Sequence, residues 1–238
     1  MFGFKKKFNV TEIFRSFQGE GPYTGENAIF IRLSKCNLTC HFCDTNHITQ
    51  KTMSIDEIVN EVNTLASVTP KINFIVLTGG EPLSQPVEHL CEELLAHKYK
   101  IQIETNGTVF RKLDDKIKIV CSPKNVNGKF LINEQILART DALKFILSKT
   151  FPDYQTVPDL GQQKYKIPIY VQPMDERCEE KNKNNLKYVI DIGMKEKYKI
   201  GVVNIPSIKP LNTSSILKII SKTKKVFSVE DHSINGGL

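Results

Sequence analysis

The sequence predicts an α/β fold with a mainly parallel sheet covered by helices. Short runs rich in Ile, Val and Phe alternate with stretches of helical periodicity along the chain, the pattern that repeated βα units impose. Polar and glycine-containing segments fall where strands should end, at residues 36–45, 79–82, 105–107, 122–124 and 172–175. Loops at that end of a parallel sheet or barrel usually carry the chemistry. No internal repeat or low-complexity tract interrupts the alternation.

In chain order, the first strand is expected at Ala28–Leu33 and the first helix at Ser54–Leu65. Ser54 followed by Glu57 is a capping box, in which hydroxyl and carboxylate satisfy free backbone donors. A strand at Phe74–Thr78 precedes a helix at Val87–His97, with Pro86 near its start. Strands follow at Lys100–Glu104, Lys116–Cys121, Ala142–Leu147 and Ile167–Val171. A helix is expected over Asn182–Gly193, after a polar stretch from Glu179, then a strand over 200–205 and a helix over 214–222.

With 238 residues, 40% of them hydrophobic, the chain can bury a real core. Lys and Arg number 33 against 26 Asp and Glu, and no block of five like charges occurs. That balance suits anionic small molecules and gives little reason to expect a nucleic-acid partner. No apolar segment follows the N-terminal lysines as a signal peptide requires, and no run is long enough to span a bilayer. A cytoplasmic enzyme with no membrane partner is expected.

Three of the six cysteines crowd into eight residues, whereas Cys91, Cys121 and Cys178 are scattered, so a disulfide framework fits poorly. The scattered three read as small apolar residues or incidental thiols. Cys36, Cys40 and Cys43 form a C-x3-C-x2-C run, which wraps three sulfurs around one face of a metal centre. Three thiolates leave one iron of a four-iron cluster unligated by protein. A zinc site needs a fourth ligand, for which His41 and His47 are at hand. Asp44 is the nearby carboxylate, suited to capping the loop. Thr78-Gly79-Gly80-Glu81-Pro82 has paired glycines that permit close backbone approach to a ligand, or merely a turn before a helix.

The cysteine spacing, with Phe42 before the third cysteine, resembles the radical S-adenosylmethionine superfamily. Gln18-Gly19-Glu20-Gly21 ahead of Arg32, together with Cys43-Asp44-Thr45, residues 78–82, Ser122-Pro123-Lys124 and Gln172-Pro173-Met174-Asp175, is similar to the 7-carboxy-7-deazaguanine synthase family over residues 8–200. The resemblance implies an incomplete TIM-like (β/α) barrel over residues 1–200. It implies a [4Fe-4S] cluster on Cys36, Cys40 and Cys43, with S-adenosylmethionine on the free iron supplying a 5′-deoxyadenosyl radical, so that no side chain is itself the catalyst. Cofactor contacts then fall to Phe42, Gly80, Ser122, Pro123, Lys124, Gln172, Pro173, Met174 and Asp175, with Glu104 as an addition, and the Gly-Gly-Glu motif is expected to hold the cofactor's amino group. Thr45 falls to Mg²⁺. Phe17, Gln18, Gly19, Arg32 and Thr78 fall to the pterin substrate, with Glu20 beside them. Arg32 would grip a carboxylate with its fork, its alternative being a barrel-interior ion pair. The implied reaction converts 6-carboxy-5,6,7,8-tetrahydropterin to 7-carboxy-7-deazaguanine and ammonia, with flavodoxin or ferredoxin as electron donor and a homodimer as the assembly. An activase for a glycyl-radical enzyme, a zinc-binding module and an inactive fusion product are the alternatives.

Residues 201–238 follow a different pattern. Ile208-Lys209-Pro210-Leu211 and Val229–Ser233, with Gly236-Gly237, resemble part of a transketolase C-terminal domain. Strand, helix, strand and a glycine turn make a βαβ-like tail that buries little alone. It is expected to be a non-catalytic, fused or truncated end, with Glu230 and His232 structural.

Overall fold

Side chains alternate across a strand, and here that alternation gives the sheet two chemically different faces. The computed structural model describes residues 6–43, 45 and 48–196. Its strands are β1 (Lys7–Phe17), β2 (Asn27–Leu33), β3 (Lys51–Ser54), β4 (Phe74–Gly79), β5 (Lys100–Thr105), β6 (Lys118–Cys121), β7 (Lys124–Val126), β8 (Lys129–Leu131), β9 (Ala142–Leu147) and β10 (Ile169–Pro173). The helices are α1 (Ile55–Ser67), α2 (Glu88–Ala96), α3 (Glu134–Arg139) and α4 (Glu179–Glu196).

Eight strands form one sheet in the order β10-β9-β6-β5-β4-β2-β1-β3, and β7 and β8 form a separate hairpin. Neighbours from β2 through β10 are parallel, whereas β1 runs antiparallel to both β2 and β3. The order is linear, so the barrel is incomplete. On the helix-covered face Ile31, Leu77, Ile103, Ile119 and Phe145 pack with Ile58 and Val62 of α1, Leu90 and Leu94 of α2, and Val189 of α4. The intervening positions turn to the other face. Ala28, Phe30, Phe74 and Val76 fill one end of it, with Phe14 and Tyr23 against them. Towards the strand C-termini the same parity carries Arg32, Thr78, Glu104, Lys144 and Gln172.

The parallel strands and α1, α2 and α4 fall where the sequence predicts them, within a few residues. The strand expected at Ile167–Val171 begins at Ile169, because Pro168 has no N–H to give the ladder and only its carbonyl bonds, to the Leu143 N–H at 3.0 Å. α4 starts earlier than expected, its first turn carrying Glu179 and Glu180, a placement the helix dipole favours. β1 was not expected: its pairing shifts between Val10 and Glu12, and such a bulge breaks the alternation that would announce a strand. The β7–β8 hairpin turns at Asn127 and Gly128, both at positive φ, the Asn-Gly signature of a tight hairpin. α3 is short and is capped by Asn133, whose Oδ1 accepts from the Gln135 N–H at 2.8 Å.

The expected strand over 200–205, the helix over 214–222, Asp44, His47, Glu230 and His232 lie outside the described residues. Among the described residues no helix is long and apolar enough to cross a membrane.

The capping box forms as expected: Ser54 N–H donates to Glu57 Oε2 at 2.6 Å, and Glu57 N–H donates to Ser54 Oγ at 3.3 Å. Ser54→Ala is expected to lower the unfolding free energy by about 1 kcal/mol, with Ser54→Asp close to the parent in urea denaturation.

Candidate active site

Beyond β2, Lys35 adopts a left-handed φ of 68° and turns the chain into the cysteine loop. Cys36, Cys40 and Cys43 are half-buried thiols outside any disulfide. Leu38 N–H donates to Cys36 Sγ at 3.5 Å, Cys43 N–H to the Cys40 carbonyl at 3.1 Å, and the Cys43 thiol to the Thr45 carbonyl at 3.8 Å. Burial pushes the Cys36 and Cys40 thiols up. A positively charged metal centre taking the thiolates would offset that cost, so the loop suits a cluster. Among the described residues no three His, Cys, Asp or Glu side chains converge as ligands of one metal ion; sulfurs on separate corners of an iron–sulfur cube stand farther apart. His41 packs against Phe151, ring centroids 4.5 Å apart, and Phe42 against Tyr154 at 5.1 Å. Buried Cys91 and Cys121, their thiols pushed up to about 12 by burial, behave as apolar residues.

The end of β4 lies directly on the entrance to this loop. Gly80 N–H donates to the Leu33 carbonyl and Glu81 N–H to the Lys35 carbonyl, each at 3.0 Å. A Cβ on Gly79 would stand 2.0 Å from the Leu33 oxygen, and one on Gly80 would stand 1.8 Å from the Lys35 oxygen. The paired glycines are therefore required by backbone packed on backbone, a cause distinct from both the ligand approach and the turn that the sequence suggests.

Glu81 is fully buried. Its Oε1 accepts from Leu83 N–H at 3.0 Å and Thr105 Oγ1 at 2.7 Å, and its Oε2 from Asn106 N–H at 2.7 Å. Burial pushes its carboxyl up, more than these bonds hold it down. Both oxygens are thus engaged within the fold. Asn106 continues the chain of bonds, donating from Nδ2 to Asn37 Oδ1 at 2.9 Å and towards Cys36 Sγ at 3.9 Å. Gly107, at φ 80°, admits no side chain, since a Cβ would lie 2.4 Å from Cys121 Sγ.

The other side of the loop meets the segment after β10. Arg177 Nη2 donates to the Cys43 carbonyl at 3.0 Å, while Asp175 Oδ1 accepts from Arg177 N–H at 2.8 Å and Asn182 Nδ2 at 2.6 Å. Met174 is buried, with its N–H on the Leu147 carbonyl at 2.8 Å. Ser122 and Pro123 are buried beyond β6, and Lys124 Nζ donates to Ser122 Oγ and O, both at 2.6 Å. Burial, with Lys144 nearby, pulls the Lys124 ammonium down.

The open face of the sheet holds a connected polar cluster. Glu104 Oε1 accepts from Gln18 Nε2 at 3.0 Å and Gln102 Nε2 at 3.2 Å, and its Oε2 from Thr78 Oγ1 at 3.1 Å. Lys144 binds the Glu20 carboxylate and lies 4.0 Å from Glu104. Burial pushes Glu20 up, but Lys144, with Lys124 and Gln172 adding to it, brings the net direction down. Gly19 sits half-buried between Gln18 and Glu20, whose N–H returns to Gln18 Oε1 at 3.2 Å, and Phe17 is half exposed beside them. Arg32, level with Thr78 in the ladder, donates from Nε to Glu12 Oε1 at 2.7 Å and lies over the Phe14 ring. Both the Cys loop and the polar cluster thus lie at the C-terminal ends of the parallel strands. Glu12, Lys144 and Arg177 were missed by sequence reasoning. A lysine inside the apolar run Ala142–Leu147 was the available signal for Lys144; Glu12 went unseen with its strand.

The Radical SAM superfamily model matches residues 30–144, from β2 into β9. A 7-carboxy-7-deazaguanine synthase from Rickettsia prowazekii is 44% identical over 192 residues, covering 79% of this chain and 82% of its own. The chain belongs to the 7-carboxy-7-deazaguanine synthase family. Another 7-carboxy-7-deazaguanine synthase, from Haemophilus influenzae, is 32% identical over 210 residues, or 87% of this chain and 89% of its own. The crystal structure of QueE from Escherichia coli shares the fold, with a TM-score of 0.64 at 23% identity over 81% of this chain and 92% of that one. The Transketolase, C-terminal domain model matches residues 187–238, of which 187–196 belong to α4 and the rest lie outside the described residues.

For this synthase-family chain, Glu81→Leu is expected to lower the unfolding free energy by on the order of 3 kcal/mol or more, because three buried donors lose their acceptor. Lys144→Met is expected to cost on the order of 2 kcal/mol at neutral pH, below the loss for a fully buried pair because Glu20 keeps some solvent contact. Glu20 is held down in the folded protein, so this deficit is complete above the ordinary carboxylate range and vanishes as pH falls through the lowered value. Urea unfolding of parent and variant across acidic and neutral pH checks the sign.

Proposed function

We propose that this chain converts 6-carboxy-5,6,7,8-tetrahydropterin to 7-carboxy-7-deazaguanine with release of ammonia. The observation that carries the reading is the juxtaposition, at one end of the sheet, of a loop with three thiols outside any disulfide and a connected cluster of polar side chains. Family membership supports it. A [4Fe-4S] cluster on Cys36, Cys40 and Cys43, with S-adenosylmethionine at its open iron, would supply the radical that removes hydrogen from pterin C6.

The protein's part is to bind, orient and exclude water. Arg32, held through Nε by Glu12, presents the rest of its fork to the substrate carboxylate. Phe17, Gln18, Gly19 and Thr78 line the pterin, with Glu20 as a further polar contact. Phe42, Gly80, Ser122–Lys124 and Gln172–Asp175 surround S-adenosylmethionine, and Arg177 ties the last of these segments to the Cys loop. Thr45 is assigned to Mg²⁺, which keeps waters and substrate oxygens in the rest of its shell. A flavodoxin or ferredoxin delivers the electron to a cytoplasmic homodimer, and residues 201–238 form a tail with no catalytic group.

Anaerobic reconstitution with iron and sulfide, followed by turnover with the pterin, tests the whole reading. Formation of the deazaguanine and 5′-deoxyadenosine is expected, and exchange of Cys36, Cys40 or Cys43 for Ala should abolish both products. A protein that takes up only zinc, or cleaves S-adenosylmethionine without using the pterin, refutes it. Arg32→Lys is expected to raise KM for the pterin about tenfold or more, the loss of one charge-assisted bidentate contact, while iron content stays unchanged.

A further inference from the structure

We propose that Asn106 is a positioning residue that tunes the reduction of the cluster through Cys36, a role resting on the cluster reading above. Cys36 Sγ is approached by the Leu38 backbone N–H at 3.5 Å and the Asn106 side-chain amide at 3.9 Å, with the Asn37 backbone N–H also beside it. The Asn106 backbone N–H is held by buried Glu81 at 2.7 Å, and its Oδ1 accepts from Thr108 N–H at 2.9 Å and Thr108 Oγ1 at 2.6 Å. Those two acceptances orient the amide so that only its NH₂ end can face Cys36 and Asn37. Asn37 Oδ1 takes one of the two hydrogens at 2.9 Å, and the other is directed to sulfur.

Reduction adds an electron whose charge spreads partly onto the ligand sulfurs, and N–H donors to those sulfurs stabilise the reduced form. Asn106 therefore raises the cluster's reduction potential, easing electron delivery. It touches neither substrate nor the reacting atoms in this role. The rigid link from β4 through Glu81 to Asn106 makes the donor part of the fold, not of a mobile side chain.

The test is a redox titration of the reconstituted full-length protein, monitored by electron paramagnetic resonance, on the parent, Asn106→Leu, Asn106→Asp and Asn37→Ala. Asn106→Leu removes the donor without adding charge, and Asn106→Asp keeps the shape and the acceptor for Thr108. Both are expected to titrate at more negative potential than the parent, with unchanged iron content, while Asn37→Ala stays near the parent. A shift confined to Asn106→Asp reveals only the added charge and overturns the proposal. An equal shift in Asn37→Ala reveals general loosening of the loop and overturns it too. Should Asn106→Leu fail to take up iron, Asn106→Asp titrated at the parent's potential is sufficient to reject the role. A parent protein that shows no four-iron signal overturns the cluster reading itself, whereas a normal parent signal with unshifted variants rejects Asn106 alone.

Discussion

The buried carboxylate of Glu81 is the constraint on which the site depends. It receives three donors from two neighbouring segments, and its own backbone N–H is given to the entrance of the Cys loop. A carboxylate in that position is costly unless it is hydrogen-bonded, and here the bonding is what joins the ends of β4 and β5 to the loop after β2. Three strand ends that are separate in sequence become one rigid corner. The thiols of Cys36, Cys40 and Cys43 hang from it.

The second determinant is the parity of the strands. Each parallel strand gives its branched apolar residues to the helix-covered core and keeps one or two polar residues for the open face. Because the open end of the barrel is lined by Glu104, Lys144, Glu20, Gln18 and Thr78 already bonded to one another, its groups are oriented before any ligand arrives. Such preorganisation limits the rearrangement that binding a ligand there requires. Arg32 follows the same logic: Glu12 fixes the guanidinium plane from one side.

Much of this was legible in the sequence. The parallel strands were visible because they are short runs rich in Ile, Val, Leu and Phe with one face buried in the core, and the capping box at Ser54 marked α1 by chemistry that is entirely local. The Cys loop, the Gly-Gly-Glu turn and the segments at 122–124 and 172–175 were placed correctly at strand ends, because alternation of strand and helix fixes which end each loop occupies. What escaped depended on partners distant in the chain. β1 lies in the sheet through β2 and β3 and carries a bulge that hides its periodicity. The ion pairs Glu12–Arg32 and Glu20–Lys144 join residues 20 and 124 positions apart, which no local pattern encodes. The glycines at 79 and 80 were noticed for the right property, freedom from a side chain, but the neighbour demanding it proved to be the protein's own backbone.

The Cys loop is secured at both margins by its main chain. The carbonyls of Leu33 and Lys35 are taken on one side, and that of Cys43 is taken by Arg177 on the other. Main-chain anchors do not discriminate among side chains, so variation at exposed positions between the ligands, such as His41, leaves the span between anchors intact. Adding or deleting a residue there changes that span and misplaces the sulfurs together. Sequence drift in this stretch is therefore cheap, and length drift is not.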